Sequence, residues 1–367
     1  MPDDNGGSRG AEDLRVTQAM VLNQRLRLTD VPSPPDEPLL FHQRLARYRP
    51  TPLHVLPGPA GVARVMLKDE SARLDLTSFK ILGASWAIER VLRQRPEVTT
   101  LLAASAGNHG LAVASTAAER GLACRIYLPA GAATARAERI AATGAQLIRV
   151  NGDYDTSVAA AAAAARADGV ALVADMSADP GADTPRWVMD GYSTLFAELT
   201  DPVDIVLVPA GVGSLTAAAV EWAAHRPHPP YVIAVEPVTA TCVAAALAVG
   251  HPVRVPTPGT SMSGLDCGTA SAVAWPSLRD GLTGAVSVTD PQVHQAMRDL
   301  ADWRLAIGDC GAAPLAGLRA LLTNESGRPL RELTGLGPDS RVLLVATEGV
   351  TDPAGYHAIL SGQDQQG

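Results

Sequence analysis

Lysine is nearly absent from this chain of 367 residues: Lys68 and Lys80 are the only two, and the other 28 of 30 basic residues are arginines. Arginine carries surface charge as well as lysine does, but its guanidinium does not give up a proton to act as an amine nucleophile. The scarcity therefore narrows any search for such a nucleophile to two positions. Aromatic residues are also few, with 3 Phe, 5 Trp and 6 Tyr, so the core has to be built mostly from Ala, Val and Leu. The four cysteines, Cys124, Cys242, Cys267 and Cys310, are widely spaced and form no CxxC pair. Buried free thiols in a reducing compartment are expected, rather than a disulfide framework or a zinc site. The eight histidines show no HExxH or other metal-ligand spacing, and no metal is expected.

A formal charge of −8 without a basic run argues against a nucleic-acid partner. No uninterrupted apolar stretch is long enough to span a bilayer, so no membrane association is expected. The polar, acidic start of the sequence reads as neither a secretory signal nor a transit peptide. Residues 1–12 are expected to be a disordered leader, residues 363–367 a frayed tail, and the location cytoplasmic.

What the sequence does have is an alternation of short β-branched runs with Ala-rich helical runs. Strands are expected at Arg64–Leu67, Thr99–Ala103, Cys124–Leu128, Gln146–Val150, Val170–Ala174, Ile205–Pro209, Val232–Glu236 and Val342–Ala346. Helices are expected between them, for example over Ile81–Leu92, Gly110–Arg120, Ala133–Thr143, Thr156–Ala167, Ser214–Ala224 and Thr239–Val249. This alternation implies an α/β fold with parallel sheets and right-handed crossovers. In such sheets, ligands bind at the carboxyl ends of the strands.

Four loops at those ends carry chemistry. Lys80 lies just before the helix Ile81–Leu92, beside Phe79 and Ile81. Spacing alone leaves two readings open for it: a solvated surface residue, or an amine near apolar groups whose pKa desolvation lowers. The loop Ser105-Ala106-Gly107-Asn108-His109-Gly110 offers a hydroxyl, an amide and a helix start suited to an anion, or simply a capped helix terminus. The loop Gly211-Val212-Gly213-Ser214-Leu215 joins a strand to a helix in the manner of a phosphate loop. It is neither a Walker A loop nor a complete dinucleotide fingerprint, since Thr216 stands where the third glycine would be. Thr347 ends the last strand with a hydroxyl to offer, to a ligand or to a turn. Taken together, an amine, a polar loop, a phosphate loop and a hydroxyl describe a site for pyridoxal 5′-phosphate and an amino acid.

At the level of motifs the chain resembles the fold-type II pyridoxal-phosphate enzymes, the tryptophan-synthase-β type, and among them the diaminopropionate ammonia-lyases. The residues that carry the likeness are Thr51-Pro52-Leu53, Asp69-Glu70-Ser71 with Arg73 and Leu76, Phe79-Lys80, Leu82-Gly83 with Ser85, Tyr154-Asp155 and Gly191-Tyr192. Further along they are Gly211 to Ser214, Ser263 to Gly268, Gly311-Ala312, Thr347-Glu348-Gly349 and Thr351-Asp352-Pro353. The resemblance implies a two-domain fold with a smaller domain inserted in the larger: residues 13–83 and 190–362 as the large domain, 84–189 as a small mobile one. It also implies a homodimer.

The same resemblance implies roles. Lys80 holds the cofactor as a Schiff base and moves the substrate α-proton. Asn108 bonds the cofactor's phenolic oxygen, Ser105, Ala106, Gly107, Asn108 and His109 hold the substrate carboxylate, Gly211 to Leu215 bind the phosphate, and Thr347 pairs with the ring nitrogen. A neutral hydroxyl there favours elimination over transamination. The ammonia-lyases carry an aspartate just before Gly-Asn-His-Gly; here that position is Ala106, as in serine/threonine dehydratases. A second family aspartate is kept as Asp175, as an acid/base group or as a turn cap. The expected activity is β-elimination from a β-substituted amino acid such as 2,3-diaminopropionate, giving a 2-oxo acid and ammonia. The alternatives are a serine/threonine dehydratase, a β-replacement synthase, or a non-catalytic amino-acid-binding regulator.

Overall fold

In the computed structural model, residues 20–59 and 61–363 are described. The expected leader, residues 1–12, and all but the first residue of the expected tail lie outside them. The described residues form two sheets. The larger has seven strands: β1 (Met20–Leu22), β2 (Leu53–Leu56), β3 (Arg64–Asp69), β8 (Ile205–Pro209), β9 (Tyr231–Pro237), β10 (Gly284–Val288) and β11 (Arg341–Ala346). Their order is β1-β10-β9-β8-β11-β3-β2. The smaller contains β4 (Thr100–Ala104), β5 (Ala123–Pro129), β6 (Gln146–Val150) and β7 (Val170–Leu172), in the order β6-β5-β4-β7. The chain leaves the large sheet after β3, builds the small one, and returns at β8.

All eight expected strands are present, within two residues at each end. Three escaped the sequence reading: β1, β2 and β10. The first two are short antiparallel strands at the two edges of the large sheet. β1 is only three residues long, and in β2 His54 interrupts the apolar residues. By contrast, β8 is buried at every position, the signature of a parallel strand covered on both faces. β10 is buried throughout too, but its sequence Gly-Ala-Val-Ser-Val is too weakly apolar to stand out.

One helix crossing matters for the site. The helices Lys80–Gln94 and Asp183–Ala197 meet backbone to backbone at Gly83 and Gly191. A Cβ on Gly83 would lie 2.7 Å from the Val188 carbonyl oxygen, and one on Gly191 would lie 2.5 Å from that of Leu82. The close approach sets the Tyr192 ring against Phe79, 4.7 Å between centroids.

Ahead of the first of these helices, the segment from Glu70 to Lys80 is held by buried charge. Arg73 donates to Glu70 through Nε (2.7 Å) and Nη2 (2.6 Å), and to Glu198 through Nη1 (2.6 Å). Lys68 donates to Glu198 (2.6 Å) and to the Thr51 carbonyl (2.9 Å). All four charged side chains are at most 2% exposed. Two cations thus face two anions with most hydrogen-bonding positions filled, which is the condition for tolerating charge in the interior. Lys68 is accounted for by this cluster. Between Arg73 and Leu76 the backbone makes a tight reversal with reciprocal N–H···O bonds of 2.8 and 2.9 Å. Its central residues Leu74 and Asp75 have φ of 49° and 62°. Such a turn favours Asn-Gly, and leucine there costs about 1–2 kcal/mol. The strain persists because Arg73 is anchored on one side and Leu74 is buried.

No helix among the described residues is long and apolar enough to cross a membrane. Replacing Glu198 by alanine leaves Lys68 without a carboxylate and two buried cations facing Glu70 alone. It is expected to destabilise the protein by about 3–5 kcal/mol in equilibrium denaturant unfolding, whereas Arg64→Ala, which loses only an exposed pair with Asp201, is expected to change it by less than about 1 kcal/mol.

Candidate active site

The loops singled out from the sequence converge at the carboxyl ends of strands from both sheets. β3 leads into the segment that ends at Lys80. Lys80 is the first residue of its helix rather than a residue of the preceding loop. Its approach is stitched to the end of β11: Phe79 N–H donates to the Thr347 carbonyl (3.2 Å) and Gly349 N–H to that of Thr77 (3.0 Å). The two loops therefore move as one piece, and Lys80 is fixed relative to Thr347.

Lys80 Nζ donates to Asp175 Oδ2 at 3.0 Å. Asp175 lies beyond the end of β7, which stops at Leu172, so this pair bridges the two sheets. The sequence reading allowed a lysine whose pKa burial lowers. Burial does oppose the charge here, but Tyr192 and the Asp175 carboxylate outweigh it, and the amine is held well above its ordinary value. Asp175 shows the reverse balance. Burial favours its neutral form, yet His109, while it is itself protonated at low pH, and the Lys80 ammonium hold it well below the usual carboxylate range. Phe79 and Tyr192 complete the wall, with ring centroids 5.5 and 5.8 Å from the amine. The Tyr192 hydroxyl is buried without a hydrogen-bond partner, and burial pushes its pKa up to about 12.

The loop after β4 behaves as a turn and a helix start. Ser105 Oγ accepts from Gly107 N–H at 3.2 Å, and Asn108 begins the helix Asn108–Glu119. Ala106 is half-buried against the core. The Asn108 amide donates to Glu348. His109 is turned away from the loop: its Nε2 meets the Val173 carbonyl at 2.8 Å, which leaves only its backbone N–H for a substrate carboxylate. The loop after β8 runs through Gly213, whose φ of 90° is left-handed, into the helix Ser214–Ala224. Ser214 Oγ donates to the Asp175 carbonyl at 3.2 Å, so the glycine loop and the acidic residue are joined.

At the floor, the Thr347 hydroxyl is buried with no hydrogen-bond partner. Beside it, Glu348, Asp309 and Cys310 bring their polar atoms within 4.8 Å of one another. Burial, reinforced by Asp309, pushes Glu348 up to about 8, and burial raises Asp309 too. One proton held between two carboxyls accounts for both. Glu348 as the holder of Asn108 was missed from sequence; its place directly after Thr347 was the available signal. Cys310 is buried beside Glu348 and Asp309.

The arrangement suits pyridoxal phosphate. An amine, a glycine loop opening onto a helix N-terminus, and an unpartnered buried hydroxyl are the groups that an aldehyde, a phosphate and a ring nitrogen require. Residues 45–348 match the family model described as pyridoxal-phosphate dependent enzyme. The chain belongs to this family, in its fold-type II branch, and its cofactor is pyridoxal phosphate. It is 32% identical to diaminopropionate ammonia-lyase of Escherichia coli K12, over 87% of this chain and 89% of that one. It is 29% identical to the biosynthetic L-threonine dehydratase of Salmonella typhimurium LT2, over 72% of this chain and 51% of that one. Its structure matches that of the E. coli diaminopropionate ammonia lyase in complex with an aminoacrylate-PLP azomethine reaction intermediate, with a TM-score of 0.86, 30% identity, and coverage of 95% and 97% of the two chains.

Two outcomes are expected. In Gly213→Ala the free loop relaxes away from its left-handed turn, and binding has to restore a strain of about 1–2 kcal/mol. Absorbance titration of the apoprotein with pyridoxal phosphate should show roughly tenfold weaker binding. The second concerns pH. The raised Glu348 carboxyl stays protonated in the folded chain while its unfolded counterpart ionises near pH 4.5. The folded state then binds more protons, so this group's contribution to stability falls as pH rises from 4.5 to about 8 and is level above that. Denaturant unfolding across this range should show a shallower decline for Glu348→Gln than for the wild type.

Proposed function

We propose that this protein is a lyase that eliminates the β-substituent of an amino acid, with 2,3-diaminopropionate as the model substrate and a 2-oxo acid and ammonia as products. The observation that carries this reading is the 3.0 Å contact between Lys80 Nζ and Asp175 Oδ2. It places a base and an acid side by side next to an unpartnered Thr347 hydroxyl. The relatives named above lend the substrate class.

Bound pyridoxal phosphate supplies an electron sink that makes the α-proton of an attached amino acid removable. In this reading the N–H groups of Gly211, Val212, Gly213, Ser214 and Leu215 bind its phosphate. Thr347 meets the ring nitrogen and Asn108 the phenolic oxygen. The turn from Ser105 through Ala106, Gly107 and Asn108 to the His109 N–H receives the substrate carboxylate. Lys80 Nζ takes the α-proton, and its protonated form is steadied by Asp175. Asp175 Oδ2 then holds the proton that the departing β-amine needs. Thr347 carries no charge, so it would not stabilise a proton on the ring nitrogen, which would favour elimination.

The smaller sheet, within residues 84–189, acts as a mobile domain that closes on the part formed by 13–83 and 190–362. Asn108, His109 and Asp175 would travel with it. The protein works in the cytoplasm as a homodimer.

The test is a panel of β-substituted amino acids, both enantiomers, scored for oxo acid and ammonia. Elimination from diaminopropionate is expected, with Lys80→Ala lowering kcat by at least about 10³-fold and Asp175→Asn by about 10²–10⁴-fold. Turnover of threonine or serine alone would replace this reading by a dehydratase, which Ala106 and the 29% identity to a threonine dehydratase favour. Amino-acid product formed from a serine-like donor and a second nucleophile would indicate a synthase. Lack of the cofactor's absorbance band would point to a binding protein.

A further inference from the structure

The elimination scheme uses the His109 backbone but leaves its buried side chain unused. That side chain is 3% exposed. The Val173 carbonyl can only accept, so the 2.8 Å contact puts a proton on Nε2. In the neutral imidazole, Nδ1 is then a bare acceptor. Nδ1 is buried and has no hydrogen-bond partner, and it faces Asp175 Oδ2 across 4.0 Å. A buried acceptor without a donor is costly to leave in place. The distance has a simple origin: an ionised carboxylate and an imidazole lone pair are two acceptors, and they keep apart.

A proton on Asp175 reverses this. The carboxylic O–H becomes a donor aimed at a waiting acceptor, and the gap closes to about 2.8 Å. We propose that His109 is the positioning residue that stabilises the protonated form of Asp175, its Nδ1 accepting the hydrogen bond from the Asp175 carboxyl. The inference rests on the reading of Asp175 as the proton carrier to the leaving amine. In the proton's path, an N–H bond of the Lys80 ammonium breaks as an O–H bond forms on Asp175. Lys80 keeps the electron pair, and the charges of both groups cancel. The O–H proton later passes to the departing nitrogen and Asp175 is again a carboxylate. His109 remains neutral throughout and accepts the hydrogen bond only while Asp175 is protonated.

The other titratable neighbours agree with this assignment. Lys80 and Asp175 are the charges acting on His109. Burial, first of all, and then the Lys80 charge lower its pKa, with Asp175 opposing, so the imidazole resists becoming a cation. Asp175 is in turn faced by Lys80, His109, Tyr192, Tyr154 and Cys267. Burial raises the last three, and all three are neutral at physiological pH. Tyr154 and Cys267 lie on separate elements from His109, on the helix Tyr154–Ala164 and the loop 263–268.

The experiment compares the pH dependence of kcat for wild type, His109→Gln and His109→Phe, each loaded with pyridoxal phosphate as judged by absorbance. Glutamine can donate to Val173 and turn an oxygen to Asp175; phenylalanine can do neither. Loss of the acceptor weakens the protonated form of Asp175. The shared proton rests on Lys80, so the weakened step is its passage through Asp175: kcat should fall roughly tenfold further in His109→Phe than in His109→Gln at every pH. A readout independent of turnover is the ¹⁵N resonance of His109 Nδ1 in the apoprotein. At neutral pH it should report an unprotonated nitrogen without a hydrogen bond, and Asp175→Asn, which supplies an N–H, should move it to the hydrogen-bonded range. Equal kcat in His109→Phe and His109→Gln, or a wild-type Nδ1 already protonated at neutral pH, overturns the proposal. If His109→Phe does not fold, the Asp175→Asn resonance decides it. A wild type without elimination activity refutes the lyase reading, and the resonance then decides the pairing by itself.

Discussion

Arg73 lies between two carboxylates, Glu70 and Glu198, with almost no access to water, and the segment that carries Lys80 hangs from it. Taking an arginine out of water is expensive unless every donor finds an acceptor. Here Nε and Nη2 bond to Glu70, and both terminal nitrogens to Glu198. Lys68 and Thr51 complete the set. That satisfied cluster is stiff because each member, if it moved, would leave another unpaired. It can therefore hold Leu74 and Asp75 in left-handed geometry that neither would choose. At its far end the segment is bonded to the loop after β11. Lys80 is thus located by constraints on both sides, and its amine is placed before any ligand arrives.

The second constraint comes from the parallel strands. Their carboxyl ends all face one way within each sheet, so loops distant in sequence open onto the same crevice. Lys80, the glycine loop and Thr347 come from the seven-stranded sheet. Asn108, His109 and Asp175 come from the four-stranded one. The Lys80–Asp175 ion pair and the bond from Ser214 to the Asp175 carbonyl join the two sets. An acid and a base supplied by different sheets can be brought together or separated by relative motion of those sheets, which a pair on one rigid element cannot.

Much of this was legible in the chain. The buried central strands could be read because a strand covered on both faces must be apolar throughout, as in Ile205–Pro209. The edge strands Met20–Leu22 and Leu53–Leu56 could not, because the first is only three residues long and the second is interrupted by His54. The loops of the site could be located, since strand-to-helix junctions are marked by Gly, Ser and Asn. Partners across the fold could not be assigned in that way. That Glu348 holds Asn108, and that His109 turns to Val173 rather than into the loop, depends on which loops fold together. The sign of the Lys80 shift also escaped. Apolar neighbours in sequence suggested a lowered pKa, but the carboxylate that reverses the effect lies 95 residues away.

Composition and local pattern by themselves determined that this is an α/β chain, that its sites lie at strand ends, and that an amine nucleophile had two possible positions. Those properties follow from short-range rules: periodicity, helix starts, and which side chains can release a proton. The motif around Phe79-Lys80 had singled out Lys80, and the tertiary structure showed how differently the two lysines are placed. Lys68 is enclosed by Glu198 and the Thr51 carbonyl, a buried cation committed to holding the fold. Lys80 meets a single carboxylate in a half-buried crevice next to an unpartnered hydroxyl. The same side chain is an enclosed structural charge in one place and an accessible amine beside one carboxylate in the other, because access depends on neighbours that only folding supplies.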